Sequence, residues 1–313
     1  MKPKKGIATA GNWIVDRVKV IDAWPEEERL ANVSALTLGG GGGAHNVIID
    51  LARMKAPFPL LAIGFVGNDE DGRYLIEEAK EHKVDFSGVR VTLDYPTSFT
   101  DVFVVQSSGR RTFFHARGAN ALLEAGDVDP GDCKILHLAY LLLLDRIDPV
   151  APQLLAKIRA MGVKTSVDVV SESSERFMRV VYPALDHIDY LIINELEAAE
   201  VSGETIRRPD GSFDMDALQL AARKLFRDNL VVVHLPEGAF AVSKKDGELW
   251  VPSRPVKTIV STVGAGDAFC AGMLYGLHED WPLSQCMDLA HAAAGACLGH
   301  ATTTGGLRPI TEL

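Results

Sequence analysis

Three short runs of this 313-residue chain hold residues whose types and spacing could do chemistry. In Ser261-Thr262-Val263-Gly264-Ala265-Gly266-Asp267, continued by Ala268-Phe269-Cys270-Ala271-Gly272-Met273-Leu274, small residues let the backbone turn tightly into a helix. The first-turn N–H groups of such a helix point outward without partners, with the positive end of the helix dipole behind them, and this makes an anion hole. Asp267 beside that hole has two readings. Either it caps the helix that it begins, a common use of Asp, or it takes a proton from an attacking hydroxyl while the hole stabilises charge on a phosphoryl group in transfer.

The second run is Gly39-Gly40-Gly41-Gly42-Gly43-Ala44-His45-Asn46, after strand-like Ala35–Leu38 and before Val47–Met54, where Val47, Ile48, Leu51 and Met54 share a helix face. The glycines are therefore expected in a strand-to-helix turn. Ordering five of them is costly in entropy, which points to close approach of something bound or, alternatively, to a hinge. The third run, Asn194-Glu195-Leu196-Glu197, follows apolar Leu191-Ile192-Ile193. Ligands of open α/β sheets sit beyond the carboxyl ends of strands. Hard oxygen donors placed there suit Mg²⁺ and its water shell, while an acid run at a helix start is the alternative. No GxxxxGK[ST] occurs, and the first strand-turn-helix unit lacks GxGxxG with an acid about 20 residues on, so neither a Walker loop nor a dinucleotide site is expected.

The elements that must position these residues follow from periodicity. Strands are expected at Ile135–Leu138, Thr165–Val169, Tyr190–Ile193 and Leu230–His234, alternating with helices at Pro149–Met161, Ser174–Leu185, Glu195–Val201 and Asp214–Arg227. That rhythm predicts a mainly parallel sheet covered by helices on both faces, in one domain over residues 1–313. Two buried helices, Asp267–Leu277 and Leu283–Leu298, are expected at the C-terminal end. Residues 16–38 and 95–116 break the rhythm with short alternating runs, and these are expected to form a small β-lid.

Hydrophobic residues make up 47% and charged residues 24%, the balance of a globular chain, and the formal charge of −10 speaks against nucleic acid as a partner. The segment after the basic Met1–Lys5 is broken by Asn12, Asp16 and Arg17, and the longest apolar run, Ile135–Leu144, is too short to cross a bilayer, so a soluble, cytoplasmic protein is expected. Cys133, Cys270, Cys286 and Cys297 form no CxxC pair or metal spacing and are read as reduced core residues.

In order and separation, Gly41-Gly42-Gly43-Ala44-His45-Asn46 and Ser261–Leu274 resemble the two signatures of the PfkB carbohydrate kinases, the ribokinase family, and Asn194-Glu195-Leu196-Glu197 resembles its NxxE element. The resemblance implies a ribokinase-like α/β/α fold that moves the γ-phosphoryl of ATP to an alcohol. It casts Asp267 as base and Gly264, Ala265 and Gly266 as anion hole. Asn194 and Glu197 would organise Mg²⁺ and phosphates through water, with Thr262 and His291 on the nucleotide side; for His291, a satisfied core histidine is the equal alternative. Asp16, in Gly11-Asn12-Trp13-Ile14-Val15-Asp16, would accept substrate hydroxyls, with Gly41, Gly42, Asn46 and the Asn120 of Gly118-Ala119-Asn120 around the same pocket.

There are departures. Ser261 stands where the family often has Asp, a ligand for an activating monovalent cation, so no such cation is carried over. His234-Leu235-Pro236 replaces the usual Lys/Thr-Leu-Gly, and proline removes a donor, so no ATP contact is carried over there. Arg110 and Arg111 are read as hairpin-turn charges. The expected substrate is a small pentose or hexose. A nucleoside is the competing expectation, with Trp13, Phe103 or Phe114 to stack on a base. A silent sugar-binding regulator is the reading of a different class, and the intact turn at Asp267 argues against it. The lid is the expected contact for a homodimer.

Overall fold

The computed structural model describes residues 3–171 and 176–313. Its strands are β1 (Ile7–Ala10), β2 (Ile14–Ile21), β3 (Val33–Gly41), β4 (Leu60–Gly67), β5 (Asp85–Thr92), β6 (Ser98–Val105), β7 (Arg111–Ala116), β8 (Ile135–Leu141), β9 (Lys164–Val169), β10 (Tyr190–Asn194), β11 (Leu230–Leu235), β12 (Gly238–Ser243) and β13 (Gly247–Pro252). The helices are α1 (Gly43–Arg53), α2 (Glu70–Glu81), α3 (Ala151–Ala160), the single turn α4 (Tyr182–Ala184), α5 (Glu195–Ser202), α6 (Met215–Leu225), α7 (Ala265–His278) and α8 (Leu283–Leu298).

Nine strands form one sheet in the order β13-β12-β11-β10-β9-β8-β1-β4-β5. Pairing is parallel from β11 to β5, and the β11–β12 and β12–β13 pairs at one edge are antiparallel. Both faces are covered, so the strands alternate between two apolar cores. Leu230 and Val232 point to the core under α1, α2, α7 and α8, whereas Val231 and Val233 point to the core under α3, α5 and α6. A strand buried on both sides reads as an unbroken apolar run, which is why Leu230–Val233 is legible as a strand.

Several boundaries differ from the sequence expectation. Pro149 belongs to a 3-10 turn at Asp148–Val150, ahead of α3. Of the helix expected at Ser174–Leu185, residues 174 and 175 lie outside the described residues; the remainder is a π-helical turn, Phe177–Val181, followed by α4 and a 3-10 turn. Asp214 stands before α6 as its cap, accepting from the N–H groups of Asp216 and Ala217. The glycine run is not a loop: Gly39–Gly41 are β-strand residues, Gly42 alone makes the turn at φ 88°, and Gly43 already begins α1.

A second sheet of four strands, ordered β3-β2-β6-β7, stands apart from the first and draws on segments 16–38 and 95–116. β2 pairs antiparallel with β3 and parallel with β6, and β6 pairs antiparallel with β7. Its two faces differ. Asp16 pairs with Thr100 and Thr100 with His115, while Val102 pairs with Phe113, and these side chains line one cavity. On the opposite face Trp24 stacks with Phe114 and meets Phe103 edge-on, and the Arg17 guanidinium lies over the Phe99 ring. All four cysteines are free and buried. No helix among the described residues is long and apolar enough to cross a membrane.

Candidate active site

The carboxyl ends of β8, β9, β10 and β11 converge with the turn into α1, the turn into α7 and the inner face of the small sheet on a cavity of about 570 Å³. Its walls carry four carboxylates, Asp16, Asp168, Glu197 and Asp267; of the described residues lining it, Arg111 is the one Lys or Arg. A second cavity of about 330 Å³ lies at the other rim of the sheet, near Lys164 and Asp189. There Lys164 pairs with Asp189 and Lys244 with Asp228.

Gly264, at φ 83°, is the N-cap of α7, and no side chain caps this helix. A β-carbon on Gly264 would stand 2.7 Å from the Thr303 carbonyl oxygen. Both the sign of φ and the close approach therefore require glycine there. Asp267 is the third helical residue, and its carboxylate turns away from the helix start: Asn46 Nδ2 donates to Oδ2 at 2.7 Å and the Tyr140 hydroxyl donates to the same oxygen at 3.0 Å. Burial raises the Asp267 carboxyl to about 6, and the neighbouring Asp168 adds to the rise, against the lowering by Asn46 and Tyr140. Of the two sequence readings of Asp267, capping has no geometric counterpart here.

Asp16, half-buried on β2, is raised to about 7 by burial and by Asp267. Gly41 backs it, since a β-carbon on Gly41 would lie 2.3 Å from Asp16 Oδ2. Gly42 has its own requirement, a positive φ and a pseudo-Cβ distance of 2.4 Å to the Asn12 carbonyl. Asn194 and Glu197 form a reciprocal capping box on α5: Asn194 Oδ1 accepts from the Glu197 N–H, and Glu197 Oε2 accepts from the Asn194 N–H at 3.0 Å. The same two side chains also line the cavity. Burial pushes the Glu197 carboxyl up to about 8, with hydrogen bonds from the Asn194 backbone and the Ser171 hydroxyl opposing. Thr262 lines the cavity, and its Oγ1 accepts from the Arg111 guanidinium, which joins β7 to the turn before α7.

Some residues singled out in the sequence stand elsewhere. His291 is buried in α8 with Nε2 3.1 Å from the Val251 carbonyl and does not line the cavity, so it is a satisfied core histidine. Asn120 lies behind the wall, bracketing Trp13 by accepting from its N–H and donating to its carbonyl, both at 3.1 Å. Ala265 begins α7 without lining the cavity. Trp13 is fully buried edge-on against His45, and Phe103 and Phe114 lie on the outer face of the small sheet, so none of these three can stack on a ligand in the cavity; Phe113 can. Arg111 is a cavity residue rather than a turn charge.

Sequence reasoning passed over Tyr140 and Asp168, and left out His234 because of the departure at His234-Leu235-Pro236. Tyr140, at φ 59°, lies within a run that is apolar apart from His137. Asp168 lies at the carboxyl end of a strand, one residue before its last, the one signal that could have found it. His234 lines the cavity beside the Phe269 ring, pushed down to about 4 by burial and by His291, and is neutral at pH 7. Pro236 sits in the two-residue turn between paired Leu235 and Gly238 and leaves that strand pairing intact.

A three-layer α/β/α architecture, with a cleft at the strand carboxyl ends that aims a buried acid beside an uncapped helix start, defines a phosphotransferase class. The sequence profile of the pfkB family carbohydrate kinases matches residues 9–309, and the chain belongs to that family. It is 25% identical to a ribokinase of Arabidopsis thaliana over 302 residues, 93% of this chain and 76% of that protein. To a 5-dehydro-2-deoxygluconokinase of Geobacillus kaustophilus it is 26% identical over 298 residues, covering 87% and 83%. Its fold is that of a nucleoside kinase of Methanocaldococcus jannaschii (TM-score 0.79, 18% identity, 99% and 97% covered). The Arabidopsis thaliana ribokinase solved with ribose and ATP is equally similar (TM-score 0.79, 21% identity, 99% and 97% covered).

Proposed function

We propose that this kinase transfers the γ-phosphoryl group of ATP to a hydroxyl of a small neutral sugar of the pentose or hexose class, in the cytoplasm, with Asp267 as general base. The observation that carries the reading is the Asp267 carboxylate, held in the cleft by Asn46 and Tyr140 rather than spent on capping α7. Both bonds fall on Oδ2, which leaves Oδ1 for the incoming hydroxyl. The hydroxyl proton passes to Asp267 as its oxygen attacks, and the backbone N–H groups of Gly264 and Gly266, which line the cavity, stabilise the charge on the phosphoryl oxygens. Asp16, seated on Gly41, accepts hydrogen bonds from other sugar hydroxyls, and Asn46 and Gly42 complete that wall.

Asn194 and Glu197 fit Mg²⁺ and its water shell. Their oxygens are hard donors, and Glu197, Asp16 and Asp267, each raised chiefly by burial, bring to the same cleft carboxyls that a cation would hold ionised. Bound there with ATP, the ion would neutralise phosphate charge. Arg111, bonded to Thr262, belongs to the phosphoryl end, so the rest of the lining suits a neutral sugar better than an acidic one. The four-stranded sheet then acts as a lid, and its exposed outer side chains, Trp24, Leu36, Leu38 and Phe114, offer the contact for a homodimer.

A nucleoside acceptor is the second reading, favoured by the Phe113 ring in the cavity wall. ADP release measured against a panel of sugars, sugar acids and nucleosides separates the two. Turnover confined to nucleosides would replace the sugar, and no turnover with any alcohol would remove the phosphotransferase reading of the cleft.

A further inference from the structure

The floor of the cleft carries three groups to which the proposed transfer assigns no direct role. Cys270 lies one helical turn beyond Asp267 on α7, Asp168 is the penultimate residue of β9, and His137 projects from β8; all three are buried. We propose that His137, Asp168 and Cys270 form a binding site for a transition-metal ion of the zinc class, and that its occupancy inhibits the enzyme.

His137 Nε2 is 3.6 Å from Asp168 Oδ2 and 3.7 Å from Cys270 Sγ, and one ligand atom from each of the three residues lies within 4.8 Å of the others. Ligand atoms bound tetrahedrally at about 2.0–2.3 Å stand roughly 3.3–3.8 Å apart, so two edges of the ligand triangle already match a bound ion. The supporting bonds aim the same atoms. His137 Nδ1 is 3.1 Å from Ser166 Oγ; as donor there, the ring presents its Nε2 lone pair to the other two ligands. The Tyr140 N–H donates to Asp168 Oδ1 at 2.6 Å, leaving Oδ2 on the His137 side. Outer hydrogen bonds that fix a histidine tautomer and a carboxylate orientation accompany built metal sites.

A mixed nitrogen, oxygen and sulfur set selects zinc or cobalt over magnesium, which takes oxygen ligands at octahedral geometry. Asp168 and Cys270 line the cavity, so the fourth position opens to the cleft and the ion has an entry path. Binding exchanges the S–H bond of Cys270 for a sulfur–metal bond and gives the proton to solvent. An ion there lies one turn from Asp267 and opposes protonation of that base. Among the described residues no other cysteine stands in such a group.

The test loads the full chain with Zn²⁺ in excess Mg²⁺ and, separately, with Co²⁺. Expected are one tightly held Zn²⁺ per chain that Mg²⁺ does not displace, turnover that falls along the same titration, and a thiolate-to-cobalt charge-transfer band in the Co²⁺ form. Cys270→Ala should abolish the band and weaken Zn²⁺ binding at least tenfold. His137→Gln should weaken it similarly and decides the matter should Cys270→Ala fold poorly. A wild-type Co²⁺ form without the band, Zn²⁺ displaced by Mg²⁺, or Zn²⁺ affinity indifferent to both substitutions overturns the site; full occupancy without loss of turnover overturns the inhibition.

Discussion

At the scale of single residues, Asp267 carries the argument, because burial makes its carboxylate costly to ionise and its hydrogen bonds hold it in the cleft. Its hydrogen bonds run to Asn46 and Tyr140 and none caps α7. Asp267→Asn should therefore lower the chemical step by about 10²–10⁴-fold. Its melting temperature should be unchanged or slightly raised, since a buried charge is removed; single-turnover kinetics beside a thermal melt check both. With its carboxyl raised to about 6, the base is lost by protonation as pH falls through that value. The single-turnover rate should thus decline about tenfold per pH unit below about 6 and level off above it. A rate flat from pH 5 to 8 would exclude Asp267 as the titrating base. Asp16→Ala should raise KM for the sugar far more than KM for ATP, because losing a hydrogen bond to a charged group costs about 1.5–3 kcal/mol.

At the scale of elements, the glycine run shows how a backbone can shape a binding wall. Gly41 is required by Asp16 across the β2–β3 ladder, and Gly42 by its own positive φ and by the Asn12 carbonyl. Gly41→Ala should therefore reproduce the Asp16→Ala phenotype, a raised sugar KM with ATP binding kept, although it removes no polar group. Gly42→Ala should instead cost stability, on the order of 1 kcal/mol or more, because an L-residue is strained at that φ whatever the space. Thermal melts of the two variants distinguish these effects, and equal loss of stability in both would contradict the assignment of Gly41 to the carboxylate.

At the scale of the whole molecule, the cleft is a stored electrostatic cost. Asp16, Asp267 and Glu197 all have native values raised above the unfolded range, to about 7, 6 and 8. At these three groups the native state therefore holds more protons than the unfolded chain. The stability these groups lend is fully present below about pH 4 and is lost as pH rises through about 6 to 8. The ligand-free protein should accordingly melt at lower temperature at pH 9 than at pH 5. Glu197→Gln, which keeps the capping box, should lessen that fall. Calorimetry across this range is the check, and a melting temperature that climbs from pH 5 to 9 would contradict the origin assigned to the shifts.

By itself the sequence determined the alternating strands and helices, because apolar runs buried on both faces and amphipathic helices carry their periods locally. Two of its three motifs, at Gly41–Asn46 and at Gly264–Asp267, were legible for a related reason: a turn that demands glycine and a helix start are local features of the chain. Much of the cleft was not local. Tyr140 is hidden in an apolar run, Arg111 looks like a turn charge until β7 is laid over the α7 turn, and His291 looks as available as His234 until α8 packs against β13. Cysteine spacing gave no metal pattern, yet His137, Asp168 and Cys270 come from two neighbouring strands and a helix more than a hundred residues further on. Only the tertiary structure decided these, because whether a polar side chain faces a cavity or a backbone partner depends on which distant segment lies opposite it, and no local period records that.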